Sequence, residues 1–116
     1  MAETTNNIVK TALDDLKGQD ITILDVTSLS DVMDSLIIAT GTSNRHVKSL
    51  AENVIVEGKK QSLIPIGIEG MDGGEWVLVD YGDTVVHVMQ QTTRDFYELE
   101  KLWAMEPSSR KNTPED

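Results

Sequence analysis

The residues Leu36-Ile37-Ile38-Ala39-Thr40-Gly41-Thr42-Ser43 decide the fold of this chain. They begin as a continuous apolar run that ends at Gly41, which is typical of a buried strand. Thr42 or Ser43 can then cap a helix by accepting a hydrogen bond from its free backbone N–H groups. That helix has a single apolar stripe, formed by Val47, Leu50, Ala51, Val54 and Ile55. The sequence therefore predicts a buried strand that leads into a core helix. The C-terminal end of this helix begins at Gly58.

The segments before this unit predict a helix and a strand. Near the N-terminus, apolar residues recur at helical spacing: Ile8, Val9, Ala12, Leu13 and Leu16. Lys17-Gly18 supplies a natural stop for that helix. Ile21 to Val26 is predicted as a short strand, and the residues from Thr27 to Asp34 are polar and rich in turn formers.

The segments after the core helix predict three strands. Ile64 to Ile68 is predicted as a short strand, and Pro65 places it at a sheet edge or a bulge. Glycines at positions 70, 73 and 74 predict a mobile loop. Glu75 to Asp80 and Thr84 to Gln90 are predicted as strands, most simply joined as a hairpin around residues 81–83.

The pairing register of this hairpin is uncertain by one residue in the sequence. A shift of one residue moves every side chain of a strand to the opposite sheet face. The sequence therefore leaves open which face carries Trp76 and His87.

The end of the chain predicts a helix and a tail. Thr92 or Thr93 is expected to cap the helix, with Phe96, Leu99 and Trp103 as its inward stripe. Residues 105–116 are rich in Pro, Ser, Lys, Asn and Glu, which predicts a disordered tail. The order α-β-β-α-β-β-β-α predicts one α/β domain, residues 1–104, in which helices cover a mixed sheet.

The composition excludes several classes of protein. The chain has 116 residues and a net charge of −10, from 20 acidic against 10 basic residues. This balance argues against autonomous nucleic-acid binding, which requires clustered Lys and Arg. The absence of cysteine excludes disulfides and thiolate metal sites. The N-terminus lacks a secretion-signal pattern and no apolar run approaches membrane-spanning length, so a soluble cytoplasmic protein is expected.

Residues 61–93 contain acidic residues but no Lys or Arg. The acidic residues of this stretch are Glu69, Asp72, Glu75, Asp80 and Asp83. They are interleaved with Trp76, Tyr81 and the strand-forming runs. A surface that is both apolar and negative favours a basic protein partner. A buried hairpin with its acids at solvated turns explains the same pattern equally well.

The turn at residues 40–43 and the two histidines are the strongest candidates for chemistry. A glycine turn before a helix can hold an anion, but this one lacks the spacing and Lys of a P-loop. A tight turn with a helix cap is therefore the preferred interpretation. His46 is predicted to lie on the surface, and His87 to be a hydrogen-bonded structural histidine within its strand. They are far apart in sequence, and a zinc site requires three or four ligands, commonly His with Cys or carboxylates, so a metal site is disfavoured.

The paired aspartates are interpreted as turn residues. Asp31 and Asp34 lie in one loop, and Asp80 and Asp83 flank the hairpin turn. Turn aspartates commonly accept hydrogen bonds from the backbone. We therefore expect no catalytic residue, no metal and no cofactor.

The polar and aromatic positions together resemble the ribosomal silencing factor family, also called the Iojap family. The match covers about residues 6–104 and its segments are Asp34, Ile37-Ile38-Ala39-Thr40-Gly41-Thr42-Ser43, Arg45-His46-Val47, Glu69-Gly70, Trp76-Val77-Leu78-Val79-Asp80-Tyr81-Gly82-Asp83, Val86-His87-Val88, Arg94 and Tyr97-Glu98-Leu99-Glu100-Lys101-Leu102-Trp103. The resemblance implies a nucleotidyltransferase-like fold without catalytic apparatus. Active relatives carry an Asp-x-Asp pair on the next strand, and residues 64–68 contain no acid.

The resemblance also implies a function. Family members bind the large ribosomal subunit at its protein L-fourteen and block joining of the small subunit, which lowers translation when nutrients are short. The alternative is a large-subunit assembly factor that uses the same surface, and related proteins are often homodimers. The expected partner-binding residues are Trp76, Leu78, Asp80, Tyr81, Asp83, His87, Arg94, Tyr97 and Glu100.

Overall fold

The computed structural model describes residues 2–98 of the chain. Its elements are α1 (Ala2–Asp15), β1 (Gln19–Asp25), β2 (Ser35–Gly41), α2 (Asn44–Lys59), β3 (Gly67–Glu69), β4 (Trp76–Asp80), β5 (Thr84–Gln90) and α3 (Gln91–Tyr97). The predicted order of elements and the mixed α/β class are confirmed. Leu99, Glu100 and Trp103 lie outside the described residues, as does the predicted tail at 105–116. The nucleotidyltransferase-like relationship stays a prediction.

A single five-stranded sheet, in the order β1-β2-β5-β4-β3, forms the centre of the molecule. β2 and β5 pair in parallel at its middle, and all other neighbours are antiparallel. Every residue of β2 is buried, as the apolar run from Leu36 predicted. The chain between β2 and β5 includes α2, and this helical crossover allows the two strands to run in the same direction.

Helices α1 and α2 pack on one face of the sheet, which we call the helix face. Its core contains Val9, Ala12 and Leu13 of α1, Val47, Leu50, Ala51 and Val54 of α2, and Ile37, Ala39, Val77, Val79, Val86 and Val88 of the sheet. The predicted cap is confirmed, since Ser43 Oγ accepts from the His46 backbone N–H at 3.0 Å. Gly41 permits this close junction because a Cβ there would lie 2.8 Å from Val47 Cγ2.

The opposite face of the sheet has a smaller core. Val26, Leu36, Ile38 and Met89 are fully buried there, with Leu24, Met33, Trp76 and Val85 packed partly buried around them. No helix of the length of α1 or α2 covers this face within residues 2–98. Its half-buried apolar side chains are therefore accessible for contact.

Two local predictions were wrong at the edges of elements. Only Gly67–Glu69 pairs as β3, because Pro65 has no N–H to donate, although the Ile66 N–H still reaches Asp80 O. Helix α3 begins at Gln91 rather than after a threonine cap, and its N-cap residue, Gln90, makes no side-chain capping bond.

The predicted inward position of Phe96 was also wrong, since its side chain is 79% exposed. Arg94 is the buried residue of α3. A residue two positions further along a helix is rotated by about 200°, so Phe96 is directed away from the sheet.

Tyr81 is buried in the helix-face core, 8% exposed, and its hydroxyl has no hydrogen-bond partner within residues 2–98. Burial raises the pKa of this phenol to about 12. We expect Tyr81→Phe to raise the free energy of unfolding by ~1 kcal/mol, because the buried hydroxyl is unsatisfied. Urea denaturation at pH 7 measures this change, with the exposed Tyr97→Phe as the control. A clear loss of stability would show that the hydroxyl has a partner in solution.

Candidate partner-binding surface

The register of the β4–β5 hairpin places four of the predicted binding residues, Trp76, Leu78, Asp80 and His87, on one sheet face. Trp76 pairs with Met89, Leu78 with His87, and Asp80 with Val85. Directly opposite residues share a sheet face, and the alternate residues of β4 lie in the helix-face core. These six side chains therefore lie on the sheet face away from α1 and α2, and we call them the hairpin face. The structure thus settles the question that the sequence left open.

Trp76 and His87 form one unit on the hairpin face. Trp76 Nε1 donates a hydrogen bond to His87 Nδ1 at 2.9 Å, and the ring centroids are 5.8 Å apart. His87 is buried and Trp76 is half-buried. The prediction of a hydrogen-bonded structural histidine is confirmed. Because Nδ1 accepts this bond, the neutral ring carries its proton on Nε2.

His87 makes the stability of the protein dependent on pH. Burial lowers its pKa from 6.5 to about 4. As the pH falls below 6.5, the unfolded chain binds a proton that the folded protein does not. The stabilisation is therefore complete above pH 6.5, and we expect ~3 kcal/mol of it to be lost as the pH falls to 4.

The pH prediction is tested by comparing wild type with His87→Gln. Urea denaturation at pH 7, 5.5 and 4 should show a steeper loss of stability in the wild type. The difference between the two proteins is the relevant quantity, because carboxylates titrate in both of them. Parallel pH profiles would contradict the assignment to His87.

An aromatic row continues from the hairpin face onto α3. The Tyr97 ring lies 4.7 Å from the Trp76 ring at an interplanar angle of 51°. The Phe96 ring meets the Tyr97 ring edge-on, at 4.9 Å and 85°. Tyr97 is 52% exposed, and Phe96 is more exposed still. The row therefore runs from the buried His87 to solvent, and Phe96 is a surface residue that the sequence reasoning missed.

Arg94 holds α3 against the sheet. Its side chain is 6% exposed, and Nη1 donates to Thr40 Oγ1 at 2.6 Å while Nη2 donates to Thr22 Oγ1 at 3.1 Å. These contacts join α3 to the end of β2 and to the middle of β1. Arg94 was predicted to bind the partner, but its burial gives it little contact area of its own. Its position instead fixes the orientation of Phe96 and Tyr97.

The cationic residues of the described chain are unevenly distributed, whereas acidic residues occur on both sides of the sheet. Apart from the buried Arg94, the cationic residues lie on α1 and α2 or in the turns that follow them: Lys10, Lys17, Arg45, Lys48, Lys59 and Lys60. The acidic residues from Glu69 to Asp83 lie around β3, β4 and the hairpin turn. The side of the molecule with the aromatic row is therefore negative.

The two hairpin aspartates differ in their contacts. Asp80 Oδ1 accepts from the Gly82 N–H at 2.8 Å, so the predicted turn role is confirmed for Asp80. Asp83 is exposed, and within the described residues its carboxylate has no hydrogen-bond partner. Asp83 is therefore the better probe of surface charge.

The turn before α2 is occupied by contacts within the protein. The Thr42 N–H donates to His46 Nδ1 at 2.8 Å, and His46 Nε2 donates to Leu16 O at 2.8 Å. The preferred interpretation as a tight turn with a helix cap is confirmed. Residues 2–98 hold no cluster of His, Cys, Asp or Glu suited to a metal. None of the helices described there is long and apolar enough to cross a bilayer.

Comparison with known proteins gives consistent results. The family described as "Ribosomal silencing factor during starvation" matches residues 1–116. A Chromobacterium violaceum protein named "Ribosomal silencing factor RsfS" is 51% identical over 92 residues, 79% of this chain and 75% of that protein. A solved structure from the same species superposes with a TM-score of 0.88 at 44% identity, covering 92% of this chain and 90% of the other.

A more distant relative is found in mouse. It is named "Mitochondrial assembly of ribosomal large subunit protein 1" and is 36% identical over 91 residues, which are 76% of this chain and 40% of that protein. The family match spans the whole chain, and the bacterial relatives agree with it in both sequence and fold. The chain belongs to the ribosomal silencing factor family.

Proposed function

We propose that the protein binds the large ribosomal subunit at its protein L-fourteen and sterically blocks association with the small subunit. It would thereby lower protein synthesis under nutrient limitation. The observation that carries this proposal is the aromatic row beside a hairpin within residues 61–93, which include no Lys or Arg. Ribosomal proteins are generally basic, and complementary charge favours encounter with such a partner.

The residues of the proposed surface have different roles. Trp76, Leu78 and Tyr97 offer apolar and aromatic contact area, and Asp80 and Asp83 form a negative rim. Aromatic anchors within a polar rim are typical of protein interfaces.

The buried members of the predicted set support this surface from below. His87 orients Trp76 through its hydrogen bond, and Arg94 holds α3. Tyr81 packs in the helix-face core behind the hairpin. Glu100 lies outside the described residues and remains a predicted contact.

The proposed mechanism is steric and involves no chemical step. The protein would act in the cytoplasm, without a cofactor, and without binding nucleic acid on its own. The family name and the names of the relatives support a regulatory role at the ribosome.

Co-sedimentation with purified large and small ribosomal subunits, each tested separately, examines binding to the large subunit. We expect the protein to sediment with the large subunit alone and to reduce the formation of joined ribosomes when the small subunit is added. Binding to the small subunit alone would contradict the proposal.

A role in assembly of the large subunit is the second candidate. The name of the mouse relative favours it. Sucrose gradients distinguish the two functions: free mature subunits on overexpression indicate inhibition of joining, and immature large particles on deletion indicate assembly. A homodimer is a further proposal, which sedimentation equilibrium tests directly.

The acidic stretch without Lys or Arg predicts salt-dependent binding. We expect Asp83→Lys to slow association with the large subunit by about two- to five-fold, because it reverses an exposed charge on the negative rim. Added salt should reduce this difference. Stopped-flow association measured at low and high salt tests both effects.

Glu52→Lys is the matched control for this prediction. It makes the same change of charge at an exposed position of α2, which packs on the helix face of the sheet. It should leave the association rate close to wild type. Equal effects of the two reversals would show that net charge, rather than the position of the charge, governs association.

A further inference from the structure

A recess of 420 Å³ lies beside the aromatic row. It is lined by Asn44, Glu75, Gln90, Thr92, Thr93, Phe96 and Tyr97. The lining residues that the structure describes include one carboxylate and two exposed aromatic rings. A nearby cation is Lys48, whose Cε would lie 2.9 Å from a Cβ on Gly74. A recess of this size can admit one long side chain.

The walls of the recess are held by contacts within the protein. Gln90 Nε2 donates to Asn44 Oδ1, which ties the end of β5 to the start of α2. The Gln90 N–H donates to Glu75 O at 3.2 Å and thereby fixes the backbone beside the carboxylate. Arg94 fixes α3, which carries the aromatic rings. The recess is therefore present before any partner binds.

The chemistry of the recess favours a cation. Glu75 is exposed, and within residues 2–98 its carboxylate has no hydrogen-bond or ion-pair partner. The faces of exposed aromatic rings attract cations. A phosphate group would be repelled by Glu75, and the lining residues between positions 2 and 98 include no Lys or Arg.

We propose that this recess takes a single arginine side chain of the partner protein, stacked on Phe96 or Tyr97 and paired with Glu75. The inference rests on the proposed function and adds the chemical identity of one contact. Arginine fits better than lysine, because its planar guanidinium stacks on aromatic rings and forms two parallel hydrogen bonds to a carboxylate.

Phe96→Leu tests the inference, because it removes the aromatic face and keeps an apolar side chain. We expect it to weaken binding to purified large subunits by about three- to thirty-fold, whereas Phe96→Trp retains binding. The fold should be unaffected, since Phe96 is exposed. Ile66→Ala is the matched control, because Ile66 is 74% exposed and does not line the recess.

Glu75→Gln tests the second contact of the same arginine. We expect about two- to five-fold weaker binding. In the double variant the two losses should not add, because both remove contacts with one side chain. Full additivity of the two losses, or binding of Phe96→Leu equal to wild type, would overturn the inference.

A ribosome-independent titration separates this inference from the proposed function. The backbone amide resonances of Glu75 and Phe96 should shift with N-acetyl-arginine amide and not with the uncharged citrulline amide. The shifts should be lost in Phe96→Leu. If the wild-type protein fails to bind large subunits, the proposed function is wrong. The titration alone then decides whether the recess binds an arginine side chain. Equal shifts with arginine and citrulline would overturn the inference.

Discussion

Trp76→Ala is expected to abolish detectable binding to the large subunit. Truncation of a central interface tryptophan typically costs ~2–4 kcal/mol of binding free energy, which is about a thirty- to a thousand-fold loss of affinity. Trp76 is half-buried on the hairpin face and contacts both His87 and Tyr97. Its removal would eliminate contact area and also release the Tyr97 ring.

The same substitution should lower stability, because Trp76 packs against the core that includes Met89. Its loss also leaves His87 Nδ1 without its donor. Binding must therefore be measured on folded protein, with the thermal midpoint determined in parallel. Trp76→Phe keeps an aromatic ring without the N–H group, so it should lose stability while keeping much of the affinity.

Val77→Ala is the matched control for this experiment. Val77 lies in the same strand, fully buried in the helix-face core. Its truncation should cost about 2 kcal/mol of stability without changing the hairpin face. If Val77→Ala weakens binding as much as Trp76→Ala does, the effect of Trp76 comes from lost stability and not from contact with the subunit.

Gly70→Ala is expected to give the largest loss of stability. Gly70 has a φ of +87°, and a Cβ there would lie 2.1 Å from Trp76 O. The substituted chain would have to move the first residue of β4 or abandon the turn. We expect a loss of ~3 kcal/mol or more in the free energy of unfolding, since a strained backbone and a clash with main-chain atoms combine.

Gly73→Ala controls for the loss of glycine flexibility in the same loop. A Cβ at Gly73 would meet no atom within 4 Å. Its effect on stability should be within ±0.5 kcal/mol. Urea denaturation of both variants provides the comparison. Equal stability of the two would show that the Gly70 turn rearranges at little cost.

The loop between β3 and β4 shows that glycine can occur for more than one reason. Three glycines in the sequence predicted mobility, which stays a prediction, and two of them have positive φ angles. Gly74 is buried, and a Cβ there would lie 2.9 Å from Asn44 O of α2. Glycine occurs there because the backbone must turn and approach a helix closely, and a sequence pattern does not distinguish that cause from flexibility.

The sequence alone determined the helices and strands that are indicated by residues close together in the chain. The stripe of α2 and its Ser43 cap depend on residues a few positions apart, and the buried strand from Leu36 depends on a continuous apolar run. The charge pattern of residues 61–93 was equally evident, because net charge does not depend on the fold. The element order and the resemblance to the family followed from these features.

Only the tertiary structure decided how the candidate surface is assembled. The face that carries Trp76 depends on the hairpin register, and the exposure of Phe96 depends on Arg94 facing the sheet. Arg94 reaches Thr22, which is 72 residues away in sequence. Such contacts are made between side chains that the chain brings together only after it folds, so no local spacing predicts them.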